Sequence, residues 1–112
     1  MLTVDPIELG NPKAHHYLLG AVGPRPICFA STIDSAGNRN LAPFSFFNVF
    51  SSNPPVAIFS PSRSGRTGKQ KDTYNNIKEV PEVVINLVNH SMVEQMSLSS
   101  SPYQSNVDEF LK

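Results

Sequence analysis

Prolines and glycines divide this chain of 112 residues into short apolar segments. Its ten prolines and six glycines lie mostly between these segments. Proline lacks the backbone donor that a helix interior or a central strand requires, and glycine is favoured in turns. We therefore predict a mainly β fold with short helices, in a single domain that spans residues 1–112.

Apolar runs rich in β-forming residues predict four strands. The first covers residues 26–33, and the turn residues 34–38 that follow it predict a hairpin. The second covers 46–50, and the third covers 55–60 with proline at its first position. The fourth, 82–88, is β-branched and nearly all apolar, so we expect it to be central in the sheet.

Helix signals are fewer than strand signals. Residues 11–19 form one weak candidate. A second helix is predicted to run through Glu79, with Asp72 or Thr73 as its N-cap and Pro81 ending it.

The last part of the chain carries one further helix signal. Ser91 and Glu94 have the spacing of a capping box, which predicts a short helix over 91–97. Residues 98–112 show little periodicity, and the chain ends just as an apolar segment begins. About four strands leave exposed sheet edges, so we predict either a truncated chain or an obligate partner.

The charge balance disfavours two classes of partner. Nine Lys and Arg residues balance nine Asp and Glu residues, for a formal net charge of zero. The broad basic surface typical of proteins that bind nucleic acids or anionic membranes is therefore missing. Four prolines interrupt the uncharged stretch 40–62, which cannot form a membrane-spanning helix. We predict no nucleic-acid partner and no membrane association.

Cysteine and histidine usage gives two further predictions. One cysteine cannot form an internal disulfide, and the N-terminus lacks a signal-peptide pattern, so we predict a cytoplasmic protein with Cys28 buried in a strand. His15 and His16 would point about 100° apart on a helix. Only His90 accompanies them, so no metal site is predicted.

Polar groups of complementary chemistry occur in three separated stretches. Hydroxyls, a carboxamide, backbone N–H groups and two ammonium groups suit a phosphorylated ligand with a planar polar head. Within a β framework they indicate a mononucleotide-like cofactor. The stretches are Ser31 and Thr32 at a strand end, Asn40–Phe47 after the hairpin turn, and Lys69, Lys71 and Thr73 before a helix.

Five sequence blocks, in chain order, resemble one known family. They are Gly23–Ile27, Ala30–Thr32, Asn40–Phe47, Asn53–Val56, and Lys71–Thr73 followed by Asn76 and Ile77. The series is similar to the flavin reductase-like, FMN-binding split-barrel family, the group that includes the reductase component of nitrilotriacetate monooxygenase. The resemblance runs from about Leu18 to Phe110, with a further similar block at 106–110.

The resemblance implies a fold and an assembly. It implies a homodimeric split β-barrel of antiparallel strands in Greek-key order, with FMN near the subunit interface. Family members are considerably longer, and the strands that complete their barrel lie beyond the end of this chain. We therefore expect this chain to be the N-terminal part of the usual domain, with its barrel incomplete at the C-terminus.

The resemblance also implies a set of cofactor-binding residues. Lys71 and Thr73, with the first amides of the following helix, would hold the FMN phosphate, and Asp72 would cap that helix. Asn40, Leu41 and Ala42 would face the polar edge of the flavin ring. The full set is Ser31, Thr32, Asn40, Leu41, Ala42, Ser45, Ser60, Lys69, Lys71 and Thr73.

The implied activity is that of an NAD(P)H-dependent flavin reductase. NADH or NADPH would supply electrons and a small molecule would accept them; no catalytic side chain is assigned, because the flavin carries the hydride chemistry. The alternatives are a non-enzymatic flavin-binding module and an inactive, partner-dependent fragment. The loop cations Arg63, Arg66, Lys69 and Lys71 have an ordinary explanation as a solvated face, and Arg25 as a donor to backbone carbonyls.

Overall fold

The computed structural model describes residues 1, 3–64, 67–104 and 106–112. The strands are β1 (Cys28–Ile33), β2 (Arg39–Phe44), β3 (Phe47–Ser52), β4 (Pro55–Phe59) and β5 (Val84–Leu87). The helices are α1 (Pro6–Leu9), α2 (Asn11–Ala21), α3 (Asp72–Glu79) and α4 (Val93–Ser99). Two 3-10 turns cover His90–Met92 and Glu109–Leu111.

The strands form two antiparallel sheets. One has the order β2-β1-β5, and the other is the hairpin of β3 and β4. Antiparallel sheets with short helices confirm the mainly β prediction. The described strands do not close into a barrel.

The core lies where the two sheets meet. Cys28 and Ala30 of β1 and Phe44 of β2 are buried, and half-buried apolar side chains of β3, β4 and β5 pack against them. The rings of Phe44 and Phe59 are 5.4 Å apart, centroid to centroid, which joins the two sheets. Burial raises the pKa of the Cys28 thiol to about 11, as expected for a small side chain inside an apolar strand.

One strand was predicted in the wrong place in the sheet, and another strand was not predicted. The segment 82–88 was expected to be central, but β5 is an edge strand with Val84 and Leu87 62% and 69% exposed, and β1 is the middle strand. β2 was not predicted as a strand, because Arg39, Asn40 and Pro43 are poor strand formers. Proline is tolerated there because β2 is itself an edge strand and the nitrogen of Pro43 needs no partner.

The other strand predictions are confirmed with small shifts. The run 26–33 begins at Cys28, 46–50 becomes Phe47–Ser52, and 55–60 ends at Phe59. A register shift between Val49 and Ser51 marks a bulge in the β3–β4 ladder.

Three of the helices, α2, α3 and α4, occur where they were predicted, but the predicted caps of α3 and α4 differ, and α1 was not predicted. α2 confirms the candidate over 11–19. α3 ends at Glu79 as predicted, yet Lys71 occupies its N-cap position and Asp72 is its first helical residue, so neither Asp72 nor Thr73 is the cap. The capping box was also wrong: α4 begins at Val93, and the Ser91 hydroxyl donates to Asn89 Oδ1 at 2.6 Å.

The β1–β2 turn is tied to the end of α3. Asp34 Oδ1 accepts from the backbone N–H groups of Ala36 and Asn38 at 2.9 and 2.8 Å. Hydrogen bonds from Asn38 lower the pKa of Asp34. The hydroxyl and backbone N–H of Ser35 donate to Glu79 Oε2 at 2.7 and 3.1 Å, and these bonds lower the pKa of Glu79.

Stability is expected to decrease in acid through these two carboxylates. A carboxyl whose pKa is lower in the folded than in the unfolded chain stabilises the fold above its unfolded pKa, and that stabilisation disappears as pH falls through the folded value. The urea unfolding midpoint should therefore decrease below about pH 4.5, the ordinary pKa of Glu79. Glu79→Gln should make this decrease shallower, whereas Glu94→Gln, on exposed α4 surface, should not. Identical pH profiles for the wild type and Glu79→Gln would contradict this assignment.

Candidate functional site

Four buried polar side chains join α3 to the first two strands. Thr32 and Asn40 lie directly opposite each other in the β1–β2 ladder. Asn40 Nδ2 donates to Thr73 Oγ1 at 2.8 Å, and Asn76 Nδ2 donates to Thr32 Oγ1 at 3.2 Å. Thr73 is 1% exposed, and the other three are at most 8% exposed. We call these four residues the Thr–Asn cluster.

Lys71 stands immediately before α3, beside this cluster. Its side chain is half-buried, and its Nζ lies 5.0 Å from the centroid of the Phe44 ring. Burial lowers the pKa of Lys71 because desolvation disfavours the ammonium form. None of the described side chains caps the start of α3. A cation and the positive end of a helix dipole therefore lie at one place, which favours an anion.

The predicted ring-contacting segment lies on β2. Ser31 pairs with Leu41 across the ladder, and Ala42 packs against the core. The Leu41 N–H donates to Glu109 Oε2 at 3.2 Å. Alternation along an antiparallel strand therefore points the N–H groups of Asn40 and Ala42 toward β1. Of these three backbone donors, Leu41 is the one at the open edge, and a carboxylate occupies it.

The same carboxyl-terminal turn holds β2 at a second point. Arg39 pairs with Asp108, its Nε lying 3.1 Å from Oδ2, and its guanidinium lies 5.0 Å from the centroid of the Phe110 ring. Residues 108–111 thus cover the free edge of β2, which limits unwanted strand pairing there.

The remaining predicted site residues lie farther along the chain. Ser45 is half-buried between β2 and β3, and the Ser60 N–H donates to the Phe46 carbonyl at 3.0 Å. Lys69 is exposed, and its carbonyl accepts from the Ser64 N–H at 2.9 Å within the loop. Arg66 falls outside the described residues. The roles of all ten residues in cofactor binding stay predictions.

Neither of two cavities among the described residues is lined by any of the ten predicted site residues. One of about 130 Å³ lies between the β1–β2 turn and the C-terminal segment, lined by Gly37, Asn38, Arg39, Asn106, Val107 and Asp108. The other, about 430 Å³ and open to solvent, is lined by His16, Tyr17, Gly20 and Ala21 of α2. Thr32, Asn40 and Thr73 are connected through strand pairing and the hydrogen bonds of the Thr–Asn cluster, and Lys71 lies against the Phe44 ring.

Arg25 has the role that the sequence predicted. Its Nη1 donates to the carbonyls of Leu19 and Val22 at 2.6 and 2.7 Å, which fixes the end of α2. Its guanidinium also lies 5.6 Å from the centroid of the Phe46 ring, whose other neighbour is His15.

Sequence reasoning missed two residues of the site. Asn76 appeared only as part of a family block, although its amide and its position three residues after Thr73 place both on one helix face. Glu109 appeared in the sequence only as part of the 106–110 block. No local pattern indicated its contact with the Leu41 N–H, because Leu41 lies 68 residues earlier in the chain.

The described residues contain no group of three or more His, Cys, Asp or Glu side chains arranged to hold a metal ion. None of the helices in this described part of the chain is both long and apolar enough to cross a bilayer.

Comparison with known proteins assigns the family. The model of the flavin reductase like domain matches residues 21–112. This chain belongs to the flavin reductase-like family. An uncharacterised protein of Aquifex aeolicus is 43% identical over 106 residues, which cover 94% of this chain and 53% of that protein.

Solved structures superpose on most of this chain. Nitrilotriacetate monooxygenase component B from Bacillus cereus superposes with a TM-score of 0.85 at 32% identity, over 99% of this chain and 54% of that one. The 2-nitrobenzoate 2-nitroreductase of Pseudomonas fluorescens gives a TM-score of 0.70 at 30% identity, over 93% and 50%. The chain thus spans about half the length of the relatives that it matches.

The hydrogen bond between Asn40 and Thr73 should contribute measurably to stability. Thr73→Val keeps the shape of the side chain but leaves the Asn40 amide unpaired in a buried position, and we expect a loss of about 1–3 kcal/mol in the free energy of unfolding. Thr67→Val, in the exposed loop, is the control. Urea unfolding measures both, and equal stability of the two variants would show that the buried bond contributes nothing.

Proposed function

We propose that this chain is an FMN-binding flavoprotein that takes electrons from NADH or NADPH and passes them to a small-molecule acceptor. Membership of the flavin reductase-like family supports a flavin-related oxidoreductase activity. The observation that carries the proposal is the convergence of residues from three separated stretches at the start of α3. Asn40 contacts Thr73, and Lys71 lies over Phe44. Thr32 lies opposite Asn40 in the β1–β2 ladder and accepts from Asn76 of α3.

The side chains at this place fit a phosphate ester. Lys71 supplies an ammonium group that burial has partly deprived of water, and a dianionic phosphate compensates such a charge better than a neutral group does. The uncapped start of α3 adds backbone N–H groups of the same polarity. An arginine clamp is not required for this kind of site.

The remaining predicted contacts would orient the rest of the cofactor. Ser31 and Ser45 are half-buried and carry hydroxyls that suit the ribityl chain. Bound FMN supplies hydride and electron chemistry, so the chain itself has to bind, orient and exclude water. The Leu41 N–H, at the edge of β2, is the backbone donor available to the ring once Glu109 releases it.

Exposed apolar side chains on both sheets support the proposed homodimer with flavin near its interface. Val49 and Phe50 of β3 and Ile58 of β4 are each more than half exposed, as are Val84 and Leu87 of β5. Exposed apolar side chains on sheet strands are typical of faces that another strand or chain covers. The single cysteine, buried and reduced, suits the proposed cytoplasmic location.

Flavin binding and flavin reduction can be tested separately. The purified chain, mixed with FMN and desalted, should retain a flavin absorbance band and quench flavin fluorescence. Anaerobic mixing with NADPH or NADH should then bleach that band. Retained but unbleached flavin would favour a non-enzymatic binding module, and a colourless, unquenched protein would refute the proposal.

Lys71 should distinguish FMN from riboflavin, which lacks the phosphate. Lys71→Met removes one charge-assisted contact and should weaken FMN binding by roughly 10- to 100-fold while leaving riboflavin binding nearly unchanged. Lys78→Met, at the other end of α3, is the matched control. Fluorescence titration measures both affinities. Equal FMN affinity in the wild type and Lys71→Met would place the phosphate elsewhere.

A further inference from the structure

The Thr–Asn cluster fixes α3 in two directions at once. Thr73 and Asn76 are three residues apart, so both face the sheet from one side of the helix. Their partners Asn40 and Thr32 are directly paired across β1 and β2. One hydrogen bond alone would let the helix pivot about it. Two bonds, one turn apart, set both its rotation and its position along its axis.

The position of Lys71 follows from the position of this helix. The Lys71 carbonyl accepts from the N–H groups of Tyr74 and Asn75 at 3.0 and 3.2 Å, so its backbone is part of the first turn. Its ammonium group reaches back to the Phe44 ring at the end of β2. A displacement of α3 relative to β1 and β2 would therefore move the charge away from its place beside the sheet.

We propose that Asn76, acting with Thr32, is a positioning residue for the phosphate-binding lysine, an inference that rests on the FMN-binding function proposed above. Both side chains are buried and bonded to each other, Asn76 at 8% and Thr32 at 5% exposure. They act through the placement of α3, so Thr32, whose hydroxyl accepts from Asn76, takes a positioning role here in place of the direct cofactor contact that the family resemblance implies. Their contribution is to the preference for a phosphorylated flavin over an unphosphorylated one.

The test compares matched pairs of variants in the full chain. Asn76→Ala removes the amide donor, and Asn75→Ala changes an exposed asparagine on the same helix. Thr32→Val removes the hydroxyl with little change in shape, and Thr32→Ser keeps it. The dissociation constants of FMN and riboflavin are measured for each by fluorescence titration, and their ratio gives the phosphate preference.

We expect Asn76→Ala and Thr32→Val to lower this preference about tenfold through FMN affinity alone, a change within the usual range of coupling between sites. Asn75→Ala and Thr32→Ser should retain the wild-type ratio. The α3 amides that are hydrogen-bonded within the helix, such as those of Asn75 and Val80, should exchange hydrogen faster in the two affected variants without flavin, because the helix is less firmly held. Circular dichroism verifies that each variant remains folded, and Thr32→Val provides the test if Asn76→Ala does not fold.

A second arm tests whether the effect passes through Lys71. If it does, Asn76→Ala should lower the phosphate preference no further when Lys71→Met is already present, since the effects of two substitutions that act through the same side chain are not additive. An additive loss, or an equal loss of FMN and riboflavin affinity, would overturn the inference and leave a purely structural role for Asn76. A wild-type chain that binds neither flavin would refute the proposed function itself. Normal FMN binding with unchanged ratios in folded variants would refute the inference alone.

Discussion

The pairing of two strand side chains with two helix side chains is the constraint on which the candidate site depends. Thr32, Asn40, Thr73 and Asn76 are buried, and buried amides and hydroxyls are destabilising unless they are hydrogen-bonded. The side-chain amides of Asn40 and Asn76 each donate to a threonine hydroxyl of this cluster. Both bonds can form together in only one position of α3 on the sheet. Lys71, the helix start and the end of β2 meet as a result of that placement.

Local pattern predicted much of the fold, and what it missed depends on tertiary context. β1, β3 and β4 follow from apolar runs bounded by turn residues. β5 was expected at the centre because an apolar run does not reveal which of its faces will be covered. β2 was not predicted because Pro43 is acceptable only at a sheet edge, and the buried Asn40 is acceptable only with a partner such as Thr73. No local sequence specifies either condition. The Ser91–Glu94 spacing matched a capping box, but the Ser91 hydroxyl donates to Asn89 Oδ1 and does not cap α4.

The composition of the site was predictable, but its internal contacts were not. Residue types suited to a phosphorylated ligand indicated Asn40, Lys71 and Thr73, and the structure brings together the two stretches that carry them. Each was assigned to the cofactor, whereas Asn40 and Thr73 also bind one another across 33 residues of sequence. A side chain that can contact a ligand can equally contact a distant side chain, and only the fold decides between them. Asn76 shows the same limit, since its partner Thr32 lies 44 residues away.

The carboxylate of Glu109 accepts the hydrogen bond of the Leu41 N–H, so it competes with any ligand that would bind this donor at the edge of β2. An incoming acceptor, such as a ring carbonyl, has to displace that oxygen from the Leu41 N–H. Part of the free energy of the new hydrogen bond is therefore offset by the bond that is broken. The exchange would also remove one of the contacts that hold the turn over Glu109–Leu111 against β2. The contacts of Arg39 with Asp108 and Phe110 would then be the ones that hold it there. Binding of a ligand at the β2 edge and the firmness with which residues 108–111 are held are thereby reciprocally linked.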